Sequence, residues 1–204
     1  MTLETLAPGT AAMAQSVSHA LAELTAEVAR GVVLVRGSMG SSGSGVIWGA
    51  SGMVLTNHHV VPGRSAELRL ADGRRLLARV VRRAPGLDLA ALEVQGELPS
   101  GLPVGDSDRL RVGDVVLAVG HPMGERNAPS LGILASAPAE VLRLSIALRP
   151  GNSGGALVDA RGAVVGIPHM VVGRGLALAV ASSTVGRFLQ GATGEAEPDR
   201  LMWI

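Results

Sequence analysis

The 204-residue chain contains no cysteine, no lysine and no tyrosine. Without cysteine there is no disulfide, no thiolate zinc site and no cysteine nucleophile. Without lysine, a Walker-type phosphate loop and Schiff-base chemistry are excluded. The aromatic residues are only Trp48, Phe188 and Trp203, too few for the stacking platforms of nucleic-acid modules. The 18 basic residues, all Arg, stand against 17 acidic ones. The pI near 9.0 therefore reflects arginine's high pKa and one surplus charge, not a basic patch. No apolar run approaches the roughly 20 residues that a membrane helix requires. The first ten residues include Glu4 and no basic cluster, and no continuous apolar core follows. A signal peptide is therefore not expected, and the cytoplasm is the default compartment; removal of a leader would instead imply a periplasmic or secreted protein.

What remains is rich in glycine and aliphatic residues, with 47% hydrophobic and 17% charged positions, so a folded core is expected. Met13, Val17, Leu21, Leu24 and Val28 recur three or four residues apart, which predicts one amphipathic helix over 11–30. Thr10 is a candidate cap and Gly31 a stop. Beyond Gly31 the period shortens. Six strand-like runs begin at Val32, Gly45, Met53, Ala66, Leu77 and Leu89. After a polar connector at 95–108, six more begin at Asp114, Leu131, Glu140, Gly155, Ala163 and Leu176. Ala71-Asp72-Gly73 and Asp159-Ala160-Arg161-Gly162 read as turns. Ser183–Leu189 suggests a closing helix capped by Ser182 or Ser183. Two sets of strands with few helices between them point to an all-β fold of sandwiches or barrels, not to βαβ units.

Three segments carry chemistry. Thr56-Asn57-His58-His59-Val60-Val61 holds two histidines at a strand end. Gly86-Leu87-Asp88-Leu89-Ala90 places one carboxylate inside an apolar run, where it needs a partner. Arg149-Pro150-Gly151-Asn152-Ser153-Gly154-Gly155 sets a serine among glycines, a composition that fits a tight turn exposing backbone N–H groups. Together they supply His, Asp and Ser in the order and types needed to activate a hydroxyl. Ser153 also fits the G-x-S-x-G elbow of α/β-hydrolases, but that fold requires a strand–helix sheet and the order Ser, Asp, His. After Ser153 the only histidine is His169, in a strand-like run. His58 and His59, adjacent on a strand, would face opposite ways and could not share an ion, so no metal and no other cofactor is expected. Gly37–Gly45 reads as a hairpin, not a phosphate loop, and His121 receives no role.

The segments GSGVIW, MVLTNHHVV, GLDLAALEV, VGDSDRLRVGDVVLAVGHPMG, RPGNSGGALVDARGAVVGI and GLALAVASSTVGRFL resemble, in order, the HtrA/Deg-type serine proteases. The resemblance implies a trypsin-like fold of two six-stranded β-barrels with an N-terminal helix and a short C-terminal helix. It divides the chain into an N-terminal segment at 1–30, a first barrel at 31–100, a second at 101–190 and a polar tail at 191–204. It covers the protease domain alone, and no PDZ domain is expected within the chain. By the same resemblance His59 is the catalytic base, Asp88 the orienting acid and Ser153 the nucleophile. The N–H groups of Gly151 and Ser153, with Asn152 between, form the oxyanion hole. His58 stands where the family often has Asn, and Ser145 where Asp is more usual. Asn152 replaces the Asp that digestive relatives use in zymogen activation. Ala147, Ala177 and Ala179, with Val180 nearby, would surround the primary specificity pocket. His169, Met170 and Val171 would pair with substrate backbone. The uncharged pocket implies an aliphatic residue before the cut. The implied activity is a serine endopeptidase acting on unfolded or extended polypeptides, with homo-oligomers in the family. The alternatives are a latent peptide-binding module of the same fold, or an esterase using the same serine.

Overall fold

The computed structural model describes residues 8–122, 127–138, 140–171 and 175–191. Helix α1 spans Pro8–Arg30. The first six strands are β1 Val32–Gly37, β2 Ser42–Ile47, β3 Met53–Thr56, β4 Ser65–Arg69, β5 Arg75–Ala84 and β6 Leu89–Gln95. The second six are β7 Val115–Gly120, β8 Ala128–Ser136, β9 Val141–Ser145, β10 Ala156–Asp159, β11 Val164–Val171 and β12 Leu176–Ala181. Helix α2, Ser182–Gln190, closes the described chain. Each set of six forms a closed antiparallel barrel, in the orders β1-β2-β3-β6-β5-β4 and β10-β11-β12-β9-β8-β7. Closure removes the sheet edges that open sheets expose.

Alternation along the strands gives each barrel its own interior. Val33, Val35, Val54, Leu68 and Leu92 fill the first; Val116, Leu134, Leu142, Leu157 and Val165 fill the second. A third cluster lies between them, where Val32, Val46 and Leu55 meet Leu117, Val119, Val158 and Val164. Val28 of α1 and Phe188 of α2 complete it, each about 1% exposed. Both helices therefore clamp the seam between the barrels.

Helix α1 begins at Pro8, ahead of the expected start at residue 11, because proline's fixed φ and missing N–H suit a first helical turn. Thr10 is therefore inside the helix and does not cap it. Leu24 and Val28 pack on the seam, while Met13 and Val17 face solvent. In α2 the cap position is Ala181, without a side-chain cap. Ser182 instead donates to the carbonyl of Gly105 at 2.8 Å and accepts from the N–H of Ser107 at 3.1 Å, tying α2 to the connector. The hairpin expected over 37–45 is shorter, since β2 starts at Ser42 after a single 3-10 turn. The tail beyond Gly191 lies outside the described residues.

Candidate active site

The two histidines leave β3 in a 3-10 turn, His58–Val60, not on a strand as the sequence suggested. The turn aims them at different partners. His59 Nδ1 lies 2.7 Å from Asp88 Oδ2, and its backbone N–H donates to Asp88 Oδ1 at 3.0 Å. His59 therefore carries its proton on Nδ1 and leaves Nε2 as a base. The hydrogen bond that His59 donates to Asp88 raises the His59 pKa above its ordinary 6.5, against partial burial. His58 Nδ1 accepts from Arg83 Nη1 at 2.8 Å. Burial first, then the Arg83 charge, lowers the His58 pKa. Arg83 also donates to the carbonyls of Val61, at 2.7 Å, and Gly63. One histidine is thus oriented as a proton acceptor, and the other is fastened to the scaffold.

Asp88 is held from both ends. Its carbonyl accepts from Asn57 Nδ2 at 2.9 Å and from the His58 N–H at 3.1 Å. Its backbone is left-handed, φ 52°, at the end of the 3-10 turn Pro85–Leu87. Asp tolerates that region better than most residues, and such conformations gather at functional sites. Burial opposes ionisation of the carboxyl. Interactions with His169 and with the side chain and N–H of His59 outweigh it and hold the pKa well below the usual carboxylate range.

The serine sits in the loop between β9 and β10. Within it, Asn152 N donates to Arg149 O at 3.0 Å, Gly154 N to Pro168 O at 2.9 Å and Gly155 N to Asn152 O at 3.0 Å. The N–H groups of Gly151 and Ser153 have no acceptor among the described residues. Gly154 has φ 83°, and a Cβ there would run into Ser44 O and Thr56 Oγ1, so only glycine fits. Ser153 lines a cavity of about 270 Å3 with Leu148, Arg149, Pro150, Asn152, Pro168 and His169. A larger depression of about 450 Å3, lined by Ile47, Gly49, Leu98 and Pro99 among others, holds no titratable side chain.

His59 and Asp88 are thus in direct contact. Ser153 shares its cavity with His169, whose Nδ1 is 3.7 Å from Asp88 Oδ2. No hydrogen bond joins Ser153 Oγ to His59 among the described contacts; such bonds are often long before substrate binds. Ala177, Ala179 and Val180 are 0–1% exposed and packed in the barrel interior and seam, and Ala147 is exposed outside the cavity lining. Strand β12 carries Ala177, Ala179 and Val180, and the cavity beside Ser153 is lined by Leu148, Pro150 and Pro168 among others. Met170 and Val171 pair with Leu178 and Ala177 of β12. The pairing of β10 with β11 stops at Gly166, so the other side of 169–171 carries no ladder partner from β10.

Sequence reasoning missed Ser44. Its N–H donates to Ser153 O at 2.9 Å, and its hydroxyl donates to Gly151 O at 2.7 Å while accepting from His121 N–H at 2.8 Å. One buried serine of the first barrel therefore anchors the serine loop of the second. A serine in a glycine-rich strand gave no periodic signal of this. Among the described residues no His, Asp or Glu cluster could hold a metal.

The family described as a trypsin-like peptidase domain matches residues 43–167, more than half of the chain and all three of His59, Asp88 and Ser153. The chain belongs to the trypsin-like peptidase family. The peptidase domain is 37% identical over 148 residues to the "Probable periplasmic serine endoprotease DegP-like" of Marinomonas sp. (strain MWYL1), covering 68% of this chain and 32% of the relative. It is 36% identical over 171 residues to the "Serine protease Do-like HtrA" of Lactobacillus helveticus, covering 71% of this chain and 41% of the relative. Among solved structures it resembles the HtrA-type protease AlgW with a decapeptide, at a TM-score of 0.75 and 28% identity, over 87% of this chain and 68% of that one. The peptidase domain thus spans about a third of the length of DegP-like relatives.

Proposed function

We propose that this peptidase domain is a serine endopeptidase in which Ser153 Oγ attacks the peptide carbonyl. His59 Nε2 takes the serine proton and later returns it to the leaving amine. Asp88 keeps His59 in the required tautomer and stabilises its charged form. The N–H groups of Gly151 and Ser153 receive the oxyanion, with Asn152 holding the turn between them. The observation that carries this reading is the 2.7 Å contact of His59 Nδ1 with Asp88 Oδ2, which commits Nε2 to act as the base. The two N–H groups without acceptors in the serine loop support it. A module that only held peptides would need neither.

The substrate is an extended or unfolded polypeptide whose backbone adds to the edge at His169, Met170 and Val171. The AlgW structure named above holds a decapeptide, which supports that mode. The cavity beside Ser153 is walled by Leu148, Pro150 and Pro168, with Arg149 at its margin and no carboxylate. It therefore accepts aliphatic side chains and disfavours Arg and Lys. The name of the DegP-like relative supports a periplasmic compartment over the cytoplasmic default. Among the described residues no helix is long and apolar enough to cross a membrane.

The test is casein digestion by the wild type and by Ser153→Ala, with product termini mapped by mass spectrometry. The wild type is expected to cut after Ala, Val, Leu or Ile, and Ser153→Ala to leave casein intact while folding normally. Undiminished cleavage by Ser153→Ala would overturn the nucleophile, and cuts mainly after Arg or Lys would overturn the pocket.

A further inference from the structure

Arginines gather on one groove of the first barrel, although the near-balanced composition suggested no basic patch. Arg79, Val80, Val81, Arg82 and Arg83 of β5, with Arg64 just before β4, line a surface depression of about 520 Å3. The pairing of β5 with β6 shifts between Val80 and Arg82, so Val81 is the extra residue of a bulge. Bulges re-aim side chains, and here Val81 and Arg82 are both exposed. Of the four arginines only Arg79 has a carboxylate partner among the described residues, Glu93 Oε2 at 2.6 Å. Arg82 Nη1 donates to Phe188 O at 2.9 Å, and Arg83 donates to His58 and to the carbonyls of Val61 and Gly63. Those acceptors are uncharged and leave both guanidinium charges uncompensated. Arg64 is exposed, and its side chain makes no hydrogen bond or ion pair among the described residues. Three positive charges of one groove therefore lack a counter-charge.

The chain itself brings carboxylates to this place. Helix α2 ends at Gln190, with Gly191 as its left-handed cap, φ 79°. Arg82 stands against that cap: its Nη1 holds Phe188 O, and a Cβ on Gly191 would come within 3.0 Å of the same nitrogen. The sequence that follows, outside the described residues, runs Ala192-Thr193-Gly194-Glu195-Ala196-Glu197-Pro198-Asp199-Arg200. Glu195, Glu197 and Asp199 put three carboxylates into one short run. From Gly191 an extended chain reaches at most about 14 Å to Glu195 and about 29 Å to Asp199. Arg79 and Arg82 are about 10 Å apart along β5, so the reach of the acidic run covers the groove. Exposed ion pairs are individually weak. A tether turns their formation into an intramolecular step at high effective concentration, and a few such pairs then suffice.

We infer that the run Glu195–Asp199 docks in cis on this groove, its carboxylates set against Arg64, Arg82 and Arg83. The occupant is this chain's own tail, held by charge and by its start at Arg82. Arg83 also fastens the turn His58–Val60, so the groove and the histidine turn share one arginine. The inference stands on charge, position and tether length, and it is independent of the peptidase reading.

The chain has no cysteine, so Ala196→Cys accepts a single nitroxide label. The test is the paramagnetic broadening of backbone amide signals in the full chain by NMR. It compares the acidic tail with one carrying Glu195→Gln, Glu197→Gln and Asp199→Asn. The neutral tail keeps the same tether and supplies the broadening that proximity alone gives. At Arg64, Arg79 and Val80 the broadening is expected to fall about threefold with the neutral tail. It is expected to fall as far in about 0.5 M salt, where screening is short-ranged. Arg64→Gln, at an exposed position, should lower the broadening at Arg79 and Val80 by about half. Equal broadening with acidic and neutral tails overturns the proposal. So does broadening centred on Met13 and Val17 of α1, which would place the tail on another face. Equal broadening of an isotope-labelled chain by a separate spin-labelled chain would assign the contact to a second copy and overturn docking in cis.

Discussion

His58 and His59 are neighbours in sequence, yet their surroundings drive them apart. Asp88 raises the pKa of His59, and burial with Arg83 lowers that of His58. For catalysis the sign is direct, because only neutral His59 accepts the serine proton. Activity is expected to fall as pH drops through the His59 ionisation, and the midpoint of kcat/KM against pH should lie at or above 6.5. For stability the sign reverses. The charged His59–Asp88 pair contributes fully below the ordinary histidine value and is lost as pH rises through the raised one. Solvent screens that term, since the His59 side chain is 52% exposed. His59→Ala should remove nearly all hydrolysis, as members of such a unit do. His58→Ala should cost far less, and mainly through the loop that Arg83 fastens. A pH profile flat from pH 5 to 9, or a larger loss in His58→Ala, would reverse the assignment. The candidate residues His59, Asp88 and Ser153 were legible as residue types in order. Ser44 was not, because its role is a tertiary contact between barrels and leaves no local pattern.

At the scale of elements, the loop from Arg149 to Gly155 depends on one backbone conformation. Gly154 adopts φ 83° directly beneath Ser44 O and Thr56 Oγ1. Gly154→Ala combines a strained φ with a steric collision. It is expected to destabilise the fold by about 1–3 kcal/mol and to reduce turnover, measured by urea unfolding and a peptidase assay. Stability and activity both unchanged would show that the loop relaxes freely. Among the described residues each strand overlaps a run visible in the sequence, because strands buried on both faces, such as β1, β7, β10 and β12, read as short continuous apolar runs between turn residues. Their ends were less legible. β5 starts at Arg75, ahead of the expected Leu77, and continues through Ala84, where Arg82 and Arg83 pair with Ala91 and Ala90 beyond a bulge. The histidine turn was read as a strand end because a single 3-10 turn is too short to carry a period.

For the whole molecule, the candidate site straddles the seam between the barrels, since the His59–Asp88 pair belongs to one barrel and Ser153 to the other. Val28 reaches that seam from α1, while Met13 at 71% and Val17 at 55% exposure do not. Removal of residues 1–18 is therefore expected to change the unfolding free energy by less than about 1 kcal/mol. It should leave an active peptidase of equal or smaller assembly size by light scattering. Val28→Ala should cost about 2 kcal/mol. Loss of fold in the truncation would place the first turns of α1 in the core. That two barrels form was legible from two sets of six runs together with the family resemblance; that α1 and α2 both clamp the seam was not, because helical periodicity shows which face is apolar and not what it meets.

The central claim is that His59, Asp88 and Ser153 act as one unit, and covalent labelling tests it most directly. The wild type, His59→Ala and Asp88→Asn are each treated with a fluorophosphonate, and the adduct is located by peptide mass spectrometry. The account predicts a single adduct on Ser153 in the wild type, formed quickly near pH 8 and more slowly below the His59 midpoint. It predicts labelling slowed by at least about a hundredfold in both variants. No adduct on Ser153 in the folded wild type, or equal labelling in His59→Ala, would contradict it.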